Sequence, residues 1–139
     1  MTASALSETN DEVCLVDDDA SVLRSMQYLL ASDGIGVRAF NKPEEFLVHS
    51  SSHRIRVLVT DIWMEGVTGL EILARMCALN PRPYVIVITA REDLAARATA
   101  MAIGPFAFFI KPFNDEKFLQ AVHDALSHSR NQIEPKTNL

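Results

Sequence analysis

Four short apolar runs, each ending on a polar residue, constrain this chain more than any other feature. Val13-Cys14-Leu15-Val16 leads into Asp17-Asp18-Asp19, and Val57-Leu58-Val59-Thr60 leads into Asp61. Tyr84-Val85-Ile86-Val87-Ile88 leads into Thr89, and Phe106-Ala107-Phe108-Phe109-Ile110 leads into Lys111. Runs rich in Val, Ile and Phe without polar alternation read as strands buried on both faces, which is the signature of a parallel sheet. A parallel sheet needs a crossover between consecutive strands, and those crossovers are right-handed and as a rule helical. The chain should therefore alternate strand and helix, with its chemistry beyond the carboxyl ends of the strands.

The intervening segments fit that demand. Val22, Leu23, Met26, Leu29 and Leu30 mark an apolar helical face over Ala20 to Asp33, with Asp19 or Ser21 as N-cap and Asp33-Gly34 as the stop. Ile35, Val37 and Ala39 alternate with Gly36 and Arg38, as in a half-exposed edge strand. Pro43 opens a short helix through Phe46 and Val48. Leu70, Ile72, Leu73, Met76 and Leu79 trace a third helix closed by Asn80-Pro81. Arg91 to Ile103 predicts an alanine-rich helix marked by Leu94, Ala98, Met101 and Ala102. Asn114 or Asp115 caps a last helix carrying Phe118, Leu119, Val122 and Leu126. The result is an α/β fold, a doubly wound five-stranded parallel sheet. Placing the half-polar second strand at an edge favours the flavodoxin-like order 2-1-3-4-5. Residues 1–11 are expected to be a flexible leader, 12–128 the domain, and 129–139 a tail or linker stub.

Charge and composition narrow the function. A net charge of -5 leaves no basic surplus for direct nucleic-acid binding. No apolar stretch reaches membrane-spanning length, and the polar start lacks a signal-peptide core, so a cytoplasmic location is expected. Cys14 and Cys77 form no metal-ligand pair and read as reduced packing residues.

If the four long runs lie side by side, Asp17, Asp18, Asp61, Thr89 and Lys111 meet at one rim. Converging carboxylates raise one another's pKa unless a cation intervenes, and a hard divalent ion such as Mg2+ suits all-oxygen ligands. Asp19 reads instead as a helix cap. Asp61 is the nucleophile candidate, because a carboxylate can attack a phosphoryl group once charge on the transferred oxygens is neutralised. Lys111 and the Thr89 hydroxyl would supply part of that neutralisation.

Val16-Asp17-Asp18-Asp19, Leu58-Val59-Thr60-Asp61 with Met64 and Gly69, Ile88-Thr89-Ala90 and Ile110-Lys111-Pro112-Phe113 resemble the receiver domain of bacterial response regulators over about residues 12–128. The Ile-Thr-Ala and Lys-Pro-Phe segments are most similar to the branch with LuxR-type helix-turn-helix output domains. The resemblance implies a CheY-like fold and phosphorylation of Asp61 by a sensor histidine kinase, giving 4-aspartylphosphate. It implies Mg2+ on Asp18, Asp61 and the Trp63 carbonyl, with Asp17 acting through water. Thr89 and Lys111 would hold the phosphoryl group, and Phe108 would occupy the aromatic switch position beside Thr89. It further implies a cis Lys111-Pro112 bond and signalling through the fourth helix–fifth strand–fifth helix face. A homodimer on phosphorylation and an output domain or downstream protein are the implied partners. The chain would be a phosphoacceptor rather than an enzyme, with slow autodephosphorylation.

Three departures from the family pattern stand out. Glu65 follows Met64 where most receivers have Pro. Trp63 is bulky for its place two residues past Asp61, and Pro105-Phe106-Ala107 replaces the usual small-residue and Asp pattern. Two rival readings are a receiver-fold interaction module that is not phosphorylated and a phosphohydrolase of the haloacid dehalogenase type. The latter lacks its downstream acidic metal motif, since only Asp115, Glu116 and Asp124 follow Lys111 on a predicted helix.

Overall fold

The computed structural model describes residues 13–133, so the leader expected over 1–11 lies outside the described residues, as does 134–139. The elements in order are β1 (Val13–Val16), α1 (Ala20–Ser32), β2 (Val37–Phe40), α2 (Pro43–Ser50) and β3 (Val57–Asp61). There follow α3 (Gly69–Cys77), β4 (Tyr84–Thr89), α4 (Leu94–Ile103), β5 (Ala107–Ile110) and α5 (Asp115–Ile133). All strand pairs are parallel, and the sheet order is β2-β1-β3-β4-β5, as the sequence pattern predicts.

Strand alternation divides the apolar runs between two cores. Val13, Leu15, Val57, Val59, Ile86 and Ile88 face α1 and α5, packing on Leu23, Met26, Leu30, Phe118, Val122 and Leu126. Cys14, Val16, Leu58, Val85 and Val87 face the other way, onto Phe46 of α2, Ile72, Leu73 and Met76 of α3 and Ala100 of α4. Each fully buried Leu, Ile or Phe contributes about 1.5–3 kcal/mol, so both faces are needed to hold the sheet. β2 and β5 are the edges, and both are only partly buried.

Caps fix where the helices start, and thereby where the rim loops end. Asp19 Oδ1 accepts the N–H groups of Ser21 and Val22 at the head of α1. Thr68 and Glu71 form a reciprocal capping box on α3. Asp93 caps α4, and Asn114 accepts the Lys117 N–H at 2.9 Å to start α5. The Lys111-Pro112 bond is cis, and so is Asn80-Pro81.

Four details depart from the sequence pattern. α3 stops at Cys77, before the expected Asn80-Pro81, which leaves Leu79 exposed. α4 begins at Leu94 because Asp93 takes the cap, three residues later than the pattern indicates. Its core face is Ala96 and Ala100, one helical turn apart, while Leu94 and Met101 point to solvent. In a helix this rich in alanine the small residues allow close approach, and hydropathy alone does not fix the phase. α5 continues to Ile133, past the expected end of the domain at 128, and buries Ser129 on the way.

Gly69 sets the closure of the β3–α3 loop. Its N–H donates to the Ile62 carbonyl at 2.9 Å. A Cβ there would overlap the Asp61 carbonyl oxygen and stand 2.7 Å from Ile62 Cα. These are backbone atoms that cannot rotate away. Gly69→Ala is expected to lower the unfolding free energy by about 1–3 kcal/mol, the range of an overpacked core, as measured by urea unfolding. An unchanged midpoint would show that the loop can relax around the methyl group.

Candidate functional site

The strand order carries the four polar run-ends to one rim. Val16 of β1 pairs with Thr60 of β3, so Asp17 and Asp61 follow side by side. Asp61 pairs with Ile88, and Thr89 pairs with Ile110, which places Thr89 and Lys111 at the next two strand ends. Asp17, Asp61 and Thr89 are all buried.

Asp61 is held by its own loop. Oδ1 accepts the N–H of Ile62 at 2.7 Å and that of Trp63 at 3.3 Å. Both bonds fall on one oxygen, which leaves Oδ2 clear of these two amides. Burial raises the Asp61 pKa most, against the lowering pull of the two amides and of Lys111. Asp17 accepts the Asp19 N–H on Oδ1 at 2.9 Å, while its Oδ2 is buried without a hydrogen bond. Lys111 Nζ lies 3.7 Å from that Oδ2, an ion pair longer than a hydrogen bond. Burial again is the main cause of the raised Asp17 pKa, and the neighbouring charge of Asp61 adds to it.

Asp18 does not join this pair. It is exposed, and its Oδ2 accepts the Glu65 N–H at 3.1 Å. Among the described residues no three Asp, Glu, His or Cys side chains gather in an arrangement that could hold a metal ion. A cation nonetheless fits the residues present. Two desolvated carboxylates repel each other, and one of their oxygens is buried with no donor. With Lys111 as the one cation described beside them, such a site is short of positive charge, and its donors are hard oxygens.

Thr89 Oγ1 donates to the Arg91 carbonyl at 3.2 Å and accepts the Arg91 N–H at 3.3 Å, so the hydroxyl is engaged in its own turn. Phe108 is half-buried on β5 with the Arg97 guanidinium 5.2 Å from its ring centroid. Trp63 is half-buried with Nε1 unpartnered, and the Arg91 guanidinium lies 4.3 Å from its ring centroid. The sequence reading singled out neither Arg91 nor Arg97. The signal for Arg91 was its offset: it stands two residues past Thr89, as Trp63 stands two residues past Asp61.

The raised carboxylates make a signed prediction. A folded-state pKa above the ordinary carboxylate value of 3.8 means that the folded protein binds the proton more tightly than the unfolded chain. Stability from that source is fully present below 3.8 and is lost as pH rises through the elevated folded-state pKa. Asn keeps the Oδ1 acceptor and removes the charge. Asp61→Asn in chelator is therefore expected to melt at a higher temperature than wild type at pH 7, with the difference vanishing at low pH. Equal melting temperatures at pH 7 would mean that burial of Asp61 carries no such penalty.

A family model described as the response regulator receiver domain matches residues 13–123. The DNA-binding transcriptional regulator NtrC of Salmonella typhimurium (strain LT2) is 34% identical over 124 residues, 89% of this chain and 26% of that protein. The transcriptional regulatory protein FixJ of Rhizobium meliloti (strain 1021) is 33% identical over 120 residues, 86% of this chain and 59% of that protein. The chain thus spans about a quarter of NtrC and under two-thirds of FixJ. The likeness to FixJ is consistent with the LuxR-type branch indicated by Ile-Thr-Ala and Lys-Pro-Phe. In solution structure, the beryllofluoride-activated NtrC4 receiver domain dimer superposes with a TM-score of 0.76 at 26% identity, covering 84% of this chain and 97% of that one. The strand order, the acidic rim and these matches agree, and the chain belongs to the response regulator receiver domain family, the phosphoacceptor module of two-component signalling.

Proposed function

We propose that Asp61 is the residue phosphorylated, that a sensor histidine kinase is the donor, and that Thr89 and Lys111 hold the transferred group. The observation that carries this reading is the anchoring of Asp61, buried at the end of β3 with both backbone hydrogen bonds on Oδ1. That arrangement fixes the carboxylate and aims its second oxygen at the rim. Oδ2 attacks phosphorus, the bond from phosphorus to the donor imidazole nitrogen breaks, and the electron pair leaves with the imidazole. Positioning and charge neutralisation do most of the work in such a transfer.

Lys111 is already drawn to the site by Asp17 at 3.7 Å and would turn its ammonium to the phosphoryl oxygens. Asp17, Asp18, Asp61 and the Trp63 carbonyl are the groups that would hold Mg2+, which when bound supplies charge neutralisation at the transferred oxygens. The new acceptor oxygens draw the Thr89 hydroxyl off the Arg91 carbonyl. Phe108, a neighbour on β5, turns toward the space released and shifts α4, β5 and α5. A few kcal/mol of differential interaction is enough to move such a two-state equilibrium.

The wider setting follows from the family. A homodimer on phosphorylation is supported by the activated NtrC4 receiver dimer. An output domain or downstream protein is supported by the greater length of NtrC and FixJ. The net charge of -5 argues against direct DNA contact by these residues. A cytoplasmic location accords with the absence, among the described residues, of any helix long and apolar enough to cross a membrane. The chain acts as a phosphoacceptor with slow autodephosphorylation rather than as an enzyme on a separate substrate.

Intact mass after incubation with a small phosphodonor and Mg2+ tests the assignment. One phosphoryl adduct is expected on wild type, none on Asp61→Asn, and none in chelator. No adduct on wild type would favour a non-phosphorylated interaction module. The Arg91–Trp63 stack should also shield the acyl phosphate from water. An exposed cation–π contact is worth about 0.5–1 kcal/mol, so Trp63→Ala is expected to hydrolyse its phosphate roughly two- to fivefold faster. An unchanged decay of the adduct would remove Trp63 from that role.

A further inference from the structure

The β3–α3 loop is joined to the acidic turn by a backbone group. The Glu65 N–H donates to Asp18 Oδ2 at 3.1 Å, although the residues are 47 positions apart in sequence. Asp18 is exposed, whereas Asp17 and Asp61 are buried. The charge of Asp18 also reaches both of those carboxylates more weakly than that of Lys111. So the third carboxylate is held outside the pair that is short of positive charge, and the group holding it belongs to the loop that follows Asp61.

We propose that this hydrogen bond is a latch. In the cation-free protein the Glu65 N–H keeps Asp18 on the β3–α3 loop. Mg2+ binding takes Asp18 from that donor and releases the loop. The inference rests on the reading of Asp17, Asp18 and Asp61 as the Mg2+-holding acids. It makes the identity of residue 65 a determinant of Mg2+ affinity through its backbone, because any residue except proline supplies the same N–H. It also gives the loop carrying Trp63 two states, latched without the ion and free with it.

The latch opposes the ion because both compete for the orientation of one carboxylate. A hydrogen bond from a neutral amide to a charged carboxylate at the surface has a modest net worth, and its loss shifts an equilibrium several-fold. The Glu65 side chain is itself exposed and its carboxylate takes no part in the contact.

Comparing Glu65→Pro with Glu65→Ala isolates the N–H, because both remove the side-chain charge and only proline removes the donor. Glu65 has a negative φ, so the ring meets no left-handed backbone. Trp63, the single tryptophan, reports Mg2+ titration by fluorescence, and calorimetry provides a second reading. Glu65→Pro is expected to bind Mg2+ roughly fivefold more tightly than Glu65→Ala. Equal or weaker binding by the proline variant overturns the latch. Should the proline variant fail to fold cooperatively, amide hydrogen exchange on wild type decides. The Glu65 amide is expected to exchange more slowly than its loop neighbours in chelator and to lose that protection on saturation with Mg2+. Protection that is absent in chelator, or that survives Mg2+, overturns the latch. A wild type with no saturable Mg2+ response would sink the metal-site reading together with the latch. A clear response with equal affinities in the two variants would sink the latch alone.

Discussion

Two carboxylates forced below the surface at the ends of adjacent strands govern the rest of the molecule. Asp17 and Asp61 stand together because β1 and β3 are neighbours in register, Val16 beside Thr60. Neither can escape to solvent without undoing a strand packed on both faces. The penalty of that burial is visible in both raised pKa values and in a buried Asp17 oxygen with no donor. Everything nearby answers it in part: two backbone amides on Asp61, one on Asp17, and the ammonium of Lys111 at 3.7 Å. None answers it fully. A site left short of positive charge is a site that gains by taking a cation, and an ion that lowers the negative charge there also eases the approach of an anionic phosphoryl group.

The fold and most of the rim were legible in the sequence because both depend on patterns that hydropathy records. Apolar runs without alternation have few places to go except the interior of a parallel sheet, and their ends locate Asp17, Asp61, Thr89 and Lys111 without further assumption. Caps were equally readable where a short polar side chain precedes an apolar period, as at Asp19 and Asn114. What failed was phase and extent. α4 offers alanine on nearly every side, so Leu94 and Met101 drew the predicted core face to the wrong stripe, and the buried residues are Ala96 and Ala100. The polar residues after Ser127 read as a tail, yet α5 continues to Ile133.

The candidate site was legible in its membership and less so in its posture. Asp18 sits in the same acidic triplet as Asp17, yet one is exposed and the other buried, since successive residues past a strand point to different sides. The donor that holds Asp18 is a main-chain N–H, which every residue except proline possesses and which no sequence pattern marks. Arg91 was missed for a related reason. Its significance lies in the ring beneath it, and that ring belongs to a different loop.

Those two loops are joined by a chain of contacts. Asp61 Oδ1 holds the Trp63 N–H, the Trp63 ring carries the Arg91 guanidinium, and the Arg91 backbone holds the Thr89 hydroxyl on both its N–H and its carbonyl. On the proposed reading, Asp61 takes the phosphoryl group and Thr89 contacts it. Drawing Thr89 inward must loosen its grip on Arg91, and a displaced Arg91 backbone changes where its guanidinium lies over Trp63. The contacts are individually weak, with hydrogen bonds of 3.2 and 3.3 Å and an exposed stack worth about 0.5–1 kcal/mol. Weakness suits the role. A chain of strong bonds would hold one arrangement, whereas one whose links lie near thermal energy can be tipped by a single added charge at the rim.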